Sequence, residues 1–236
     1  MKALIFAAGL GERMRPLTLH TPKPLLSVGG KPLIVWHLER LAAAGIREVV
    51  VNTAWLADCF APVLGDGSRW GVRLHLLDEG SVPLETGGGL LNALPWLGDA
   101  PFLVVNGDIW TDLDFADLPR DPSGMAHLVM VDNPAQHPGG DYRLDAEGVL
   151  HADRDAACLT YAGVGVYRPE IVADWRAVVG EVAGTERTPP RFSVVPLQRH
   201  YMRRGAVTGH HHRGRWTDVG TVDRLRALDA ELAANG

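Results

Sequence analysis

The sequence predicts an α/β fold: a mixed, mostly parallel central sheet flanked by helices, in one domain spanning residues 1–236. Two observations lead there. In the first half, short apolar runs of strand length alternate with segments of helical character, the pattern of a mostly parallel sheet. In the second half, strand-like runs follow one another with only turn residues between them, which marks a small, partly antiparallel subregion. With 46% hydrophobic and 22% charged residues, the chain has the composition of a globular protein with a full core.

The elements follow in order. Residues 2–7, around Ala3-Leu4-Ile5-Phe6, read as the first buried strand. A helix is predicted over 32–44, with Pro32 at its first position and Gly45 after its last. Glu48-Val49-Val50-Val51-Asn52 is a second buried strand, followed by a helix over 55–64 and a strand over 72–77. Three glycines, Gly87, Gly88 and Gly89, open a helix over 86–94, and 101–106 is a strand ending at Gly107-Asp108. Further strands are expected at 126–131, 141–144, 148–151 and 160–167, then a helix over 193–204 and a strand near 206–210. Residues 216–219 lead into a closing helix over 221–234, and 180–191 reads as a mobile surface loop. Open α/β sheets of this Rossmann-like kind bind ligands beyond the carboxyl ends of their strands. That rule brings Gly9 to Arg13, Glu79 and Asp108 to one edge.

Ala7-Ala8-Gly9-Leu10-Gly11-Glu12-Arg13-Met14 follows directly behind the first strand. Such a turn presents backbone N–H groups in a concave array suited to phosphate oxygens, and Arg13 and Lys23 add two positive charges. Two commoner phosphate loops fail on the letters. A dinucleotide fingerprint needs a small residue where Met14 stands, and a P-loop needs Gly-Lys-Ser/Thr where the chain has Gly-Glu-Arg. Pro22 and Pro24 fix φ on both sides of Lys23, which predicts a lysine held on a stiff extended segment. The loop is read as a polyphosphate site in which Ala8, Gly9, Gly11, Glu12, Arg13 and Lys23 take part. Backbone groups near Ala8 and Gly9, and in the loop from Glu79 to Gly88 that includes Gly87, are candidates to read a base.

Asp108 and Asp218 each follow a strand-like run. Either alone would be an ordinary turn aspartate; together they suit Mg²⁺, which takes one or two carboxylates with phosphates and water. Asp112 and Asp114 read as the dressing of a short helix. His210, His211 and His212 are adjacent in a strand, point to alternate faces, and cannot converge on one ion as a set. A net charge of −5 argues against nucleic acid or an anionic membrane surface as partner. Cys59 and Cys158 have no metal or redox spacing, and no apolar run approaches a membrane span; the cytoplasm is the expected compartment. A monomer or small homo-oligomer is expected.

Gly-x-Gly-x-Arg-Met-x-Pro-Leu-Thr at 9–18 and Pro-Lys-Pro-Leu-Leu at 22–26 resemble the signature of the sugar-1-phosphate nucleotidyltransferases. Within that family the chain is most similar to the uridylyltransferases of N-acetylmuramate 1-phosphate in peptidoglycan recycling. Pro-Leu-Glu-Thr-Gly-Gly-Gly-Leu at 83–90, Val-Asn-Gly-Asp at 105–108 and Trp-Thr-Asp-Val-Gly-Thr at 216–221 carry that likeness. The resemblance implies transfer of UMP from UTP to the sugar 1-phosphate with release of pyrophosphate. It implies Mg²⁺ on Asp108 and Asp218, catalytic roles for Arg13 and Lys23, and a sugar-facing antiparallel subregion. It also implies sugar contacts from Asn106, Asp141 and Glu79. Two other readings stay open: a different sugar 1-phosphate with GTP or dTTP, and a catalytically silent regulatory subunit that binds nucleotide sugars.

Overall fold

The computed structural model describes residues 1–153 and 157–234. Among these the strands are β1 (Ala3–Phe6), β2 (Ser27–Val28), β3 (Lys31–Pro32), β4 (Glu48–Thr53), β5 (Arg73–Asp78), β6 (Phe102–Asn106) and β7 (Ile109–Thr111). They continue as β8 (Ala126–Val131), β9 (Arg143–Leu144), β10 (Leu150–His151), β11 (Thr160–Tyr167), β12 (Val207–His211) and β13 (Trp216–Asp218). The helices are α1 (Leu33–Ala43), α2 (Phe60–Leu64), α3 (Glu85–Leu97), α4 (Trp175–Val179), α5 (Val195–Met202) and α6 (Val222–Ala234).

Seven strands form one sheet in the order β12-β8-β11-β6-β1-β4-β5. β1 and β4 pair in parallel, as do β4 with β5 and β8 with β12, whereas β8 and β11 are antiparallel. Three small antiparallel pairs accompany the sheet: β2 with β3, β7 with β13, and β9 with β10. The mixed, mostly parallel sheet is the one the sequence predicts.

Contacts divide the chain into two compact units. One comprises Lys2–Pro83, Val105–Asp117 and Arg215–Gly236. Its strands β1 and β4 are buried along nearly their whole length, as expected of strands covered on both faces. α1 turns Leu33, Ile34, Leu38 and Leu41 inward at zero exposure. Pro32 lies one place earlier than the sequence suggests: it ends β3 with ψ 140° and caps α1 instead of opening it. The helix expected over 55–64 is broken. Leu56 takes a left-handed conformation at φ 54°, so a 3-10 turn at Ala57–Cys59 precedes the short α2.

The other unit comprises Leu84–Val104 and Leu118–Gly214, with Met1. α3 runs past Leu94 to Leu97 despite Pro95, and Gly98 closes it by donating its N–H to the Leu94 carbonyl. Residues 180–191 form no regular element, yet Arg187 and Arg191 both donate their N–H groups to Gly184, and Thr185 to Val182. A buried polar chain crosses the core of this unit. The Tyr142 hydroxyl donates to Gln198 Oε1 at 2.9 Å, Gln198 Nε2 donates to the Tyr167 hydroxyl at 2.8 Å, and Tyr161 meets Tyr167 at 3.0 Å. Burial pushes the Tyr142 phenol far above its ordinary range and Tyr167 up to about 12, so these hydroxyls act as neutral hydrogen-bonding groups. A buried polar group without a partner costs about 1–3 kcal/mol. Gln198→Leu takes the amide partner from both phenols, leaving Tyr167 only its contact with Tyr161, and should lower unfolding free energy by about 1–3 kcal/mol. Urea denaturation checks this; a loss under about 0.5 kcal/mol would mean that the network contributes nothing.

Candidate active site

No helix opens after β1. The chain instead makes three 3-10 turns, at Glu12–Met14, Leu17–Leu19 and Lys23–Leu25. Gly11 starts the first at φ 65°, and a Cβ there would lie 2.8 Å from Thr18 Cγ2. The Thr18 hydroxyl donates to the Gly11 carbonyl at 2.7 Å and closes the loop. Met14 explains the departure from a dinucleotide fold: fully buried, it joins Leu26, Val28, Leu33, Trp110, Val219, Leu225 and Leu228 in one apolar cluster. Anchored so, the loop buries Ala8 and leaves Gly9, Glu12 and Arg13 exposed. Glu12 faces Arg15 at 3.6 Å across the surface.

Lys23 opens the third turn and is not on the extended segment that its flanking prolines suggest. Pro22 is extended, with ψ 142°, but its carbonyl accepts the Leu25 N–H at 2.9 Å and draws the chain into a turn. The Lys23 side chain, only 11% exposed, places Nζ 2.7 Å from Asp108 Oδ2.

Asp108 sits in the turn between β6 and β7. β13 lies beside it: Asp218 pairs with Ile109, and the Val219 N–H donates to the Asp108 carbonyl at 2.7 Å. Two aspartates 110 residues apart in sequence are thereby brought close together, Asp108 in the turn just before β7 and Asp218 at the end of β13. Asp218 Oδ2 lies 3.1 Å from Arg224 Nη2. A Cβ on Gly220 would meet Asp218 Oδ2 at 2.8 Å, Arg13 Nη2 at 3.3 Å and Arg224 Nη2 closer still. The absent side chain is what lets two guanidiniums and a carboxylate share this space. Asp108 and Asp218 fit a divalent ion that completes its shell with phosphate and water oxygens. Among the described residues no group of three or more His, Cys, Asp or Glu side chains gathers as a ready-made metal cage.

Two expected residues in the same unit have other surroundings. Asn106 ends β6, half-buried, two residues before Asp108. Glu79 Oε1 accepts a hydrogen bond from Asn52 Nδ2 at 2.7 Å, and Asn52 Oδ1 accepts the Ala7 N–H at 2.8 Å. In the other unit, Gly87 and Gly88 donate their N–H groups to the Phe192 carbonyl. The Gly87 donor is thus already engaged. Asp141 is held by His137 Nε2 at 3.0 Å and by the Tyr161 N–H at 2.9 Å. Asn52 and Arg224 were not legible as site residues. A polar residue near the end of a buried strand hints at Asn52; nothing in the sequence singles out Arg224.

The three histidines of the 210–212 run part company. His210 Nδ1 meets His127 Nε2 at 2.9 Å, and His211 faces Asp132 at 3.0 Å. His37, on α1, is fully buried, and burial pushes it down to about 4, with Arg40 lowering and Asp108 raising it.

The fold and this cluster of paired charges define an α/β enzyme that handles phosphorylated ligands. The chain belongs to the nucleotidyl transferase family, whose model matches residues 2–135 and whose members move a nucleotide onto a sugar 1-phosphate. It is 47% identical to the N-acetylmuramate alpha-1-phosphate uridylyltransferase of Neisseria meningitidis serogroup B, across 99% of each chain. The enzyme of the same name from Caulobacter vibrioides is 37% identical, over 98% of this chain and 96% of its own. Mycobacterium tuberculosis mannose-1-phosphate guanylyltransferase is 40% identical, over 49% of this chain and 32% of its own. A Bacillus anthracis structure assigned as a glucose-1-phosphate thymidylyltransferase matches with a TM-score of 0.82 at 20% identity, over 99% of this chain and 95% of that one. HddC of Yersinia pseudotuberculosis matches with 0.73 at 19% identity, covering 98% of each chain; both likenesses speak to the fold. Among the described residues no helix is long and apolar enough to cross a membrane.

The buried His37 makes stability depend on pH. Its folded value, about 4, lies below the ordinary value of about 6.5. Between these values the unfolded chain takes up a proton that the folded chain refuses, so stability falls as pH drops through the window. The slope from this one group should approach about 1.4 kcal/mol per pH unit. Urea titrations from pH 7 to 4.5 should show a shallower slope in His37→Leu than in the wild type; identical slopes would remove His37 as the cause.

Proposed function

We propose that this protein transfers UMP from UTP to N-acetylmuramate 1-phosphate, releasing pyrophosphate, as a single nucleotidyltransferase domain working in the cytoplasm. The observation that carries the reading is the matched charge around β7 and β13: Lys23 on Asp108, and Arg224 on Asp218 with Arg13 beside them. Phosphates and a divalent ion can take over these pairs without leaving a charge unmatched. Near full-length similarity to two enzymes of that name supports uridine as the base and the muramate sugar as acceptor.

The nucleophile is a phosphate oxygen of the sugar 1-phosphate. Its second ionisation, near ~6, leaves it largely deprotonated at neutral pH, so no general base is required. It attacks the α-phosphorus in line; the new P–O bond forms as the bond to the β-phosphate oxygen breaks, and pyrophosphate carries the electron pair away. Two anions must therefore be held together against their repulsion, and charge must be neutralised on the departing group. Arg13 and Lys23 hold the β- and γ-phosphates and meet that charge. Asp108 and Asp218 hold Mg²⁺, which when bound supplies charge neutralisation on the phosphate oxygens. Backbone groups of Ala8, Gly9, Gly11 and Glu12 line the triphosphate and base. Asn106 and Glu79 meet the sugar.

Pyrophosphate release measured across UTP, GTP, dTTP and ATP, each against several sugar 1-phosphates, tests the reading. Release is expected with UTP and N-acetylmuramate 1-phosphate. Release only with another sugar would overturn the acceptor, and none with any pair would favour a regulatory subunit. Lys23→Ala should cut turnover by about 100-fold or more, because it removes a cation that acts on the departing charge. Near-normal turnover would take Lys23 out of the mechanism.

A further inference from the structure

Asn52 is the penultimate residue of β4, where it is paired with Phe6 of β1 on one side and Leu77 of β5 on the other. Its side chain is 2% exposed, and both ends of the amide are used across strands. Oδ1 accepts the Ala7 N–H at 2.8 Å, and Nδ2 donates to Glu79 Oε1 at 2.7 Å. Glu79 is fixed from behind as well, since its N–H donates to the Thr53 carbonyl at 2.8 Å. Ala7 is the residue from which the Ala8-Gly9 backbone departs, and Glu79 begins the segment that follows β5. A single buried amide thus sets the spacing between the start of the glycine loop and the segment that follows β5.

We propose that Asn52 is a positioning residue for the nucleoside triphosphate: it clamps the start of the glycine loop to Glu79 and fixes the width of the slot that receives the base and ribose. This rests on the nucleotidyltransfer reading above. An amide is suited to the task because it offers one acceptor and one donor at fixed spacing, and Ala7 and Glu79 require one of each. A carboxylate in its place keeps the acceptor for Ala7 but loses the donor and sets a like charge against Glu79. The clamp touches neither the reacting phosphorus nor the leaving pyrophosphate, so its loss acts on triphosphate binding before it acts on the chemical step.

The test is steady-state kinetics and calorimetric UTP binding on the full-length protein. Asn52→Asp should raise the KM for UTP about tenfold and hold kcat at saturating UTP within about twofold. Discrimination between UTP and the other triphosphates should fall with it. The double variant Asn52→Asp with Glu79→Gln reverses the polarity of the link: the new carboxylate accepts from both the Ala7 N–H and the glutamine amide. Its calorimetric affinity for UTP, measured without sugar phosphate, should return to within about threefold of the wild type. Asn52→Ala removes both ends of the link and stands in if Asn52→Asp does not fold; a comparable rise in KM is expected. An unchanged KM in both single variants, or a double variant no better than Asn52→Asp alone, would overturn the clamp. If the wild type releases no pyrophosphate from UTP, the reaction itself has been misread, whereas UTP affinities of the same variants still decide whether the clamp exists.

Discussion

The contact between Lys23 and Asp108 is the constraint around which the site is arranged. An ammonium that is only 11% exposed has lost most of its water, and it is tolerable only with a carboxylate 2.7 Å away. Each partner has to be held independently for that distance to persist. Lys23 is held because its turn is closed by the Pro22 carbonyl and followed by Leu26, which is sunk in the apolar cluster with Met14. Asp108 is held because its carbonyl accepts from Val219, which lies in the same cluster. One body of packed hydrophobic side chains therefore positions both ends of an ion pair that the sequence separates by 85 residues. Removing Asp108 would leave a poorly solvated ammonium, a far larger disturbance than losing a surface salt bridge, whereas Asp108, 39% exposed, keeps much of its water when Lys23 is removed.

The same cluster explains what the first strand and its loop could and could not reveal in the sequence. Met14 was informative by its failure to be small, because a helix packed against β1 has no room for it. The cluster that receives it, including Val219 and Leu228, comes from the far end of the chain and leaves no local trace. β8 and β11 were legible to the residue, since each is a long apolar run bounded by turn residues. β7 was not. Three residues, Ile109-Trp110-Thr111, become a strand only because β13 lies beside them, and a pairing that distant has no periodicity to betray it. Lys23 shows the opposite error: flanking prolines fix φ, but ψ was free to close a 3-10 turn, and only the Pro22 carbonyl decides that it does.

The candidate acids and cations were legible as residue types and illegible as pairs. The sequence set Asp108 and Asp218 together as metal ligands; the structure adds that each already carries its own cation. Arg224 has no motif to announce it, being one helical arginine among several, and its role follows from Gly220 leaving room for it beside Arg13 and Asp218. Asn52 is a parallel case. A polar side chain near the end of a buried strand is ordinary until the two groups it joins, Ala7 and Glu79, are known to lie on either side of it.

Charge transfer between partners, not proton transfer, is what such a site is built to manage. Several histidines are engaged elsewhere: His37 is buried and kept neutral, His127 and His210 meet each other, and His75 and His151 face Glu48 and Asp145. A reaction whose nucleophile is already an anion has no use for a base, but it makes severe demands on rigidity. Each phosphate that enters must find cations whose counter-charges are equally ready to be reassigned. A site of preformed ion pairs on a strand pair meets that demand, because exchanging one anion for another on a fixed cation requires little reorganisation of the protein around it. The packing that fixes those cations, from Met14 to Val219, is therefore as much a part of the chemistry as the charges themselves.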